Sequence, residues 1–454
     1  MPKPYNGGER LSLSSLVAYS LITLPLACAG LPIALYLAPL YTDRLRLDLV
    51  GVGLALMAAR IVNVVVDILV GWLSDRGGML GFRRKPWIAV GTPVMMLGAW
   101  QLFMPPDGST LSYLFTWALV FYVGWSLITV PYGAWGAELS DDYQERSRIV
   151  GYRESMSVVG LLLAVTAPLF IGGDRHDRIA AMTADVTAFT WLTMVLLPIT
   201  AMTLIWRVGE SPAARASAGH RHGAKLLANK PFLVLLAAGV VSALGNGINQ
   251  TTTIAFYTYR ARLPEEADVM IFVFFVSALV GAPFWVWLGA KLGKHRALAV
   301  AAVWSALFLA LMPFIPPGDV ASYTCLQVAT GLAYSGPLIL GASMAADVID
   351  LDWLKSGSQR GALFIAVWGV GQKLSEAVGV GIALPALKAL GFTPEQGTSA
   401  PAQTALILVG VVVPMVLALC TIPLIWLYPI DARAQHRIRV IIDRRNSMAS
   451  RQAA

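Results

Sequence analysis

Arg60, Asn63 and Asp67 stand on one face of a single apolar run, successive members about one helical turn apart. A second apolar run carries Lys373 and Glu376 at matching spacing, with Gln372 beside them. Charge inside such a run is costly, and it is kept where it pairs or moves an ion. A carboxylate facing a lysine can take up a cation and release it, which is the chemistry of coupling. Counting about 1.5 Å per residue from the cytoplasmic ends puts Asp67 level with Lys373 and Arg60 level with Glu376. Two long-range pairs are therefore expected, Asp67 with Lys373 and Arg60 with Glu376. Protonating Asp67 discharges its pair and changes the hold between the parts that carry it. The alternative is a permanent structural ion pair at either place.

The elements that hold these residues are greasy. Of the chain, 57% is hydrophobic and 13% charged, against roughly a quarter charged in soluble domains. Roughly twelve apolar runs are long enough to cross a bilayer as helices. Their cores are 13–41, 48–74, 87–105, 110–138, 149–172, 185–207, 231–259, 267–292, 297–316, 320–349, 361–390 and 403–429. The expected fold is an all-α polytopic membrane protein, with roughly twelve transmembrane helices in two six-helix pseudo-repeat bundles. The bundles are 1–207 and 231–430, joined by a small, polar, basic cytoplasmic linker at 208–230 and followed by a basic tail at 431–454.

Lys and Arg together outnumber Asp and Glu, giving a net charge of +8. They gather in alternate short loops and in the tail, so the excess follows the positive-inside pattern, with no nucleic-acid partner, and both termini are expected in the cytoplasm. Cys28, Cys325 and Cys420 lie in apolar runs and read as small core residues. His220 and His222 in the linker lack further ligands for a metal. No HExxH, CxxC or GxxxxGK[ST] pattern is present, so neither an enzyme nor a resident cofactor is expected.

Charge at the ends of the runs forms a second pattern. Asp75, Arg76, Arg83 and Arg84 follow the second run and are expected to form a cytoplasmic latch with Glu138, Asp142, Arg146 and Arg148 after the fourth. Asp347, Asp350 and Arg360 take the equivalent part in the second half. WLSDRGGMLGFRRK after the second run has a weak echo in WLGAKLGKHR after the eighth. Two related halves imply a central site between them. Polar and aromatic residues suited to bind a solute there are Tyr19, Thr23, Tyr132, Arg153, Asn246, Asn249, Gln250, Trp368 and Gln372. The alternative for any one of them is helix–helix hydrogen bonding.

The stretch GWLSDRGGMLGFRRKPW resembles the loop signature of the major facilitator superfamily. PYGAWGAELSDDYQERSRIVGYR and AADVIDLDWLKSGSQRGALFIAVWGVGQKLSEAVG resemble the glycoside–pentoside–hexuronide cation symporters, of the melibiose permease type. That resemblance implies symport of a solute with H⁺ or Na⁺ by an integral protein of a bacterial inner membrane, acting as a monomer among membrane lipids. It places the family's cation site on Asn63, Asp67, Thr129 and Lys373, and a sugar-pocket arginine on Arg153. The family's sugar-binding acid falls on Ala27 and its stacking aromatic on Gly133. Of the cation carboxylates only Asp67 is kept, which suits H⁺. The leading expectation is a proton-coupled symporter of a glycoside-like solute. The eukaryotic lysolipid symporters are relatives, and the apolar lining of the first run keeps an amphipathic solute open. The third alternative is a non-transporting sensor or assembly factor built on a transporter fold.

Overall fold

The computed structural model describes residues 10–76, 82–140, 143–171, 178–210, 229–356 and 361–429, with residue 441. Every long element among them is a helix. In chain order these are α1 (Leu13–Leu35), α2 (Leu49–Arg76), α3 (Lys85–Phe103), α4 (Leu111–Glu138), α5 (Tyr143–Ile171), α6 (Arg178–Arg207), α7 (Lys230–Ala255), α8 (Ala267–Leu292), α9 (Lys294–Leu311), α10 (Val320–Ser356), α11 (Gly361–Ala389) and α12 (Ala400–Trp426). They coincide with the expected runs. Ten are long and apolar enough to cross a membrane. The others are α3 and α11, and α11 owes its lower hydropathy to Gln372, Lys373 and Glu376.

Polar caps start these helices where the apolar runs begin. The Ser12 hydroxyl accepts from the Ser15 amide at 3.2 Å ahead of α1, and Asp48 Oδ2 accepts from the Gly51 amide at 2.9 Å ahead of α2. Thr110 and Asp319 do the same for α4 and α10, at 3.3 and 3.1 Å. Each satisfies an amide that the first helical turn leaves without a partner. Helix α1 is interrupted: one segment ends at Ser20 and the next starts at Thr23.

An internal repeat is visible where α1 and α7 finish. Leu40–Arg44 (LYTDR) and Phe256–Arg260 (FYTYR) are both single π-helical turns. Each is closed by a bond from three residues past the turn, Leu47 to Tyr41 at 3.0 Å and Leu263 to Tyr257 at 2.9 Å. Each then passes through an arginine in the left-handed region, Arg46 at φ 54° and Arg262 at φ 56°. Two strained arginines in matching places mark a duplicated unit more clearly than the loop echo does.

The chain packs as two compact units. The first comprises residues 1–217 with 250–272 and 380–405; the second comprises 218–249, 273–379 and 406–454. Within the first unit, α3 and α4 cross at close range through small residues. A Cβ on Gly98 would lie 2.5 Å from the Phe121 amide nitrogen, and one on Gly124 would lie 2.3 Å from that of Met95. This is the packing apolar helices use when lipid offers no hydrophobic drive to associate. Val65, Ile68, Leu69 and Trp72 make an exposed apolar stripe on α2, while Asn63 is buried. In water such a stripe would be a liability; in lipid it is the solvent-facing side. Trp206 and Trp426 are also exposed, at 69% and 73%. Only one cysteine expectation needs no change: Cys28 is buried, whereas Cys325 and Cys420 are exposed on their helices, and all three are free thiols.

The same unit closes around the start of α2. Asp48 pairs with Lys388, Tyr36 donates to Asp268, and Tyr259 donates to Asp43 at 3.4 Å. The Lys388 ammonium and then the Gly51 amide hold the Asp48 carboxyl below the usual aspartate range.

Candidate functional site

Helices α2 and α4 bring the coupling candidates together. Ser126 Oγ lies 2.5 Å from Asp67 Oδ1 and 3.1 Å from Asn63 Oδ1. Ser126 is fully buried, and Asn63 is 6% exposed. A hydroxyl has one proton, and the short contact assigns it to the carboxylate. The Asn63 amide can then turn its NH₂ toward Ser126 Oγ, giving a relay from Asn63 through Ser126 to Asp67. The α4 residue that bonds Asp67 is Ser126, while Thr129, expected at this site, bonds its own helix. Thr129 Oγ1 donates to the Trp125 carbonyl of its own helix at 2.9 Å, because a threonine hydroxyl in a helix readily bonds the preceding turn. One turn further along, Arg60 Nε donates to Tyr122 Oη at 3.0 Å. Neither Ser126 nor Tyr122 was singled out by sequence.

Beside this face lies an open cavity of about 310 Å³, lined by α1, α4 and α5. The solute candidates Thr23, Tyr132 and Arg153 are in its wall, together with the cation candidate Thr129 and with Ala27 and Gly133. Tyr19 is not: it is fully buried behind Tyr132. The two rings stack at 4.5 Å, and each hydroxyl donates to the other residue's carbonyl, at 3.1 and 3.2 Å. Gly136 makes room, since a Cβ there would lie 2.0 Å from Tyr19 Oη. Thr23 Oγ1 bonds the Ser20 carbonyl at 2.7 Å and the Arg153 carbonyl at 3.1 Å. Arg153 itself pairs with Glu154, a cavity residue that sequence reasoning passed over. The signal was available: a second charge directly follows Arg153 inside an apolar span.

In the second unit, α11 packs its candidates against α7. A Cβ on Gly239 would lie 2.7 Å from the Trp368 ring and 3.0 Å from Gln372 Nε2. Gly247 packs on the Glu376 backbone in the same way, at 2.6 Å. Lys373 is exposed, Glu376 half-buried. Asn249 Nδ2 donates to the Gly410 carbonyl at 3.4 Å, so this amide links α7 to the segment around Gly410 in α12. Asn246 is half-buried on α7; Gln250, also half-buried, opens the α7 segment assigned to the first unit.

The latch forms in part. Arg84 is 2% exposed and donates to Glu138 Oε1 at 2.6 Å and to Ser74 Oγ at 2.9 Å; Arg83 lies 3.6 Å from the same carboxylate. A member was missed. The Glu210 carboxylate accepts from the amides of Arg83, Arg84 and Lys85, at 2.7, 2.9 and 2.6 Å, capping the N-terminus of α3 where the helix dipole favours an anion. Arg148 belongs elsewhere: it pairs with buried Glu145 at 3.2 Å and donates to the Leu11 carbonyl, tying α5 to the chain ahead of α1. In the second half Asp347 pairs with Lys294 at 2.6 Å, with Asp350 half-buried one turn on. Lys294 opens α9 as Arg84 precedes α3, and Asp347 lies near the end of α10 as Glu138 does in α4, so the repeat extends to these pairs. Asp142 and Arg360 lie outside the described residues, as do His220, His222, the tail from 442 on and the side chains of Asp75, Arg76 and Arg146.

A model of the family described as MFS/sugar transport protein matches residues 18–432. The chain belongs to this family. It is similar to the sodium-dependent lysophosphatidylcholine symporter 1 of Gallus gallus, 26% identical over 95% of this chain and 89% of that one. It is similar to the sphingosine-1-phosphate transporter MFSD2B of Mus musculus, 25% identical over 89% and 86%, and to the symporter YjmB of Bacillus subtilis, 22% identical over 83% and 82%. Among solved structures, the fold matches a D-xylose-proton symporter with a TM-score of 0.67 at 14% identity, covering 93% of this chain and 98% of that one. The nucleoside transporter NupG gives 0.63 at 15% identity, covering 92% and 100%. The protein is thus an integral membrane transporter of the major facilitator fold, and ten of the helices among its described residues are long and apolar enough to be spans.

Proposed function

We propose that this protein is a cation-coupled symporter of an amphipathic, lysolipid-like solute. The observation that carries the reading is the cavity wall: it has a charged anchor in Arg153, but Ala27 and Gly133 where a sugar would need an acid and a stacking ring. An acyl chain asks only for apolar surface there, and Leu26, Ala27 and Gly30 provide it. The glycoside solute ranked first from sequence loses that rank. The described relatives named as lysophosphatidylcholine and sphingosine-1-phosphate carriers lend support from outside the chain.

The cation is held at Asp67. Ser126 Oγ brings a neutral oxygen next to the carboxylate, with the Asn63 amide on its far side, a set that suits Na⁺ better than the carboxylate alone. In this reading Lys373 is the counter-charge that Asp67 trades for the cation. Loading Asp67 releases Lys373 and frees the two bundles to rock about the solute. The test is uptake of lysophosphatidylcholine into proteoliposomes under an imposed Na⁺ gradient and, separately, an imposed pH gradient. Asp67→Asn should abolish gradient-driven accumulation while solute exchange persists. Accumulation that survives both Asp67→Asn and Lys373→Ala rules the coupling role out. A pH gradient that drives uptake as well as Na⁺ does would return the site to H⁺.

A further inference from the structure

Arg153 and Glu154 adjoin in the chain and bond side chain to side chain. Arg153 Nε and Nη2 both donate to one Glu154 oxygen, at 3.1 and 2.7 Å. The Tyr19 hydroxyl lies against the guanidinium as well, so the arginine meets both Glu154 and the tyrosine. The pair lines the cavity, with side chains 31% and 61% exposed. It lies about 7.5 Å inside the apolar span that starts at Arg148. Thr23 fixes the Arg153 backbone from α1, and the Tyr19–Tyr132 pair stands next to the guanidinium. The arginine is therefore held in place, while Glu154 reaches across to it from the next position along the helix.

An exposed pair between adjacent residues, bonded through one oxygen, is weak and readily exchanged. What it does is keep the cavity neutral. A ligand bearing only an anion can take Arg153, but it leaves Glu154 uncompensated beside the apolar wall of Leu26 and Ala27, at a cost. A ligand bearing both charges replaces one ion pair with two. Its anion meets the guanidinium fork with two oxygens instead of one, and its cation takes the carboxylate. No charge is stranded. A neutral ligand gains nothing from either group.

We propose that the Arg153–Glu154 pair is a charge filter that admits zwitterionic amphipaths and turns away anionic ones, with Glu154 as the specificity-determining residue. This rests on the amphipathic reading of the same cavity. The test uses three probes with one acyl chain: lysophosphatidylcholine as zwitterion, lysophosphatidylglycerol as anion and monoacylglycerol as neutral control. Their uptake into proteoliposomes is compared for wild type and Glu154→Gln. Wild type should prefer the zwitterion to the anion, and Glu154→Gln should shift that ratio toward the anion by about tenfold or more. Glu154→Asp, which keeps the charge, should restore the zwitterion preference. Arg153→Lys should weaken both charged probes and spare the neutral one. The filter is overturned if Glu154→Gln leaves the ratio unchanged, or if Arg153→Lys affects all three probes alike, and the amphipathic reading then stands without it. If wild type takes up no acyl probe, the reading and the filter fall together.

Discussion

The Ser126 hydroxyl on α4 lies 2.5 Å from the Asp67 carboxylate on α2. The contact sets α4 against the proposed coupling carboxylate, through a residue about one turn from the one the family pattern points to. Ser126→Ala should lower the apparent affinity for the coupling ion roughly tenfold, the scale of one charge-assisted hydrogen bond. Thr129→Ala should change it little, because that hydroxyl bonds its own helix. Titrating the ion in an uptake assay separates the two, and the opposite ranking would restore Thr129 to the site.

Gly136 and Tyr19 make a compensating pair. Gly136→Ala puts a methyl group where Tyr19 Oη now sits and should destabilise the protein by about 1–3 kcal/mol, the usual cost of overpacking. Adding Tyr19→Phe removes the closest atom and should recover part of that loss. Thermal unfolding of the two single variants and the double variant reads the effect directly; a double variant worse than the sum places the strain elsewhere.

The Asp48–Lys388 pair supplies a pH signature. Asp48 has its pKa depressed in the folded protein, first by the Lys388 ammonium. A depressed carboxyl stabilises the fold above its unfolded value, near 3.9, and loses that contribution as pH falls through the lower folded value. Asp48→Asn should therefore lower the unfolding midpoint at pH 7, with the gap to wild type closing below about pH 4. A gap that widens with acid would reverse the sign of the linkage. With its pKa lowered, Asp48 stays ionised at neutral pH, so proton dependence of transport near pH 6–7 does not arise at this carboxyl.

Lys294 covers Asp347, which is only 5% exposed. Removing the lysine alone takes the 2.6 Å ion-pair partner from a buried carboxylate and should destabilise the protein, whereas Lys294→Ala with Asp347→Ala should cost less than Lys294→Ala alone. A double-mutant cycle on thermal stability measures the coupling. Simple additivity would mean that the two side chains do not support one another.

The large features were legible because they depend on quantities that sum along the chain. Apolar length placed the twelve helices, and charge at their ends placed Arg84 with Glu138. What escaped depends on single small or local groups. Ser126 reads as packing in an apolar helix, since its role is visible only when α2 lies beside it. Glu210 acts on three backbone amides, a partner that has no side-chain pattern. Glu154 hid behind its neighbour because adjacent opposite charges look self-cancelling. The duplicated turns LYTDR and FYTYR are too short to stand out until the same backbone shape appears twice.

Tyr19 and Tyr132 grip one another at two points, and two points forbid what a single point allows. One hydrogen bond lets a pair of helices swivel about it; two reciprocal bonds in opposite directions cancel that freedom. The first segment of α1 is thus keyed to α4. Thr23, just past the break, is fastened instead to α5 through the Arg153 carbonyl. Leu21 and Ile22 lie between the two attachments and are spanned by the Thr23 bond to the Ser20 carbonyl, so a change in the angle between α4 and α5 loads that one hydroxyl.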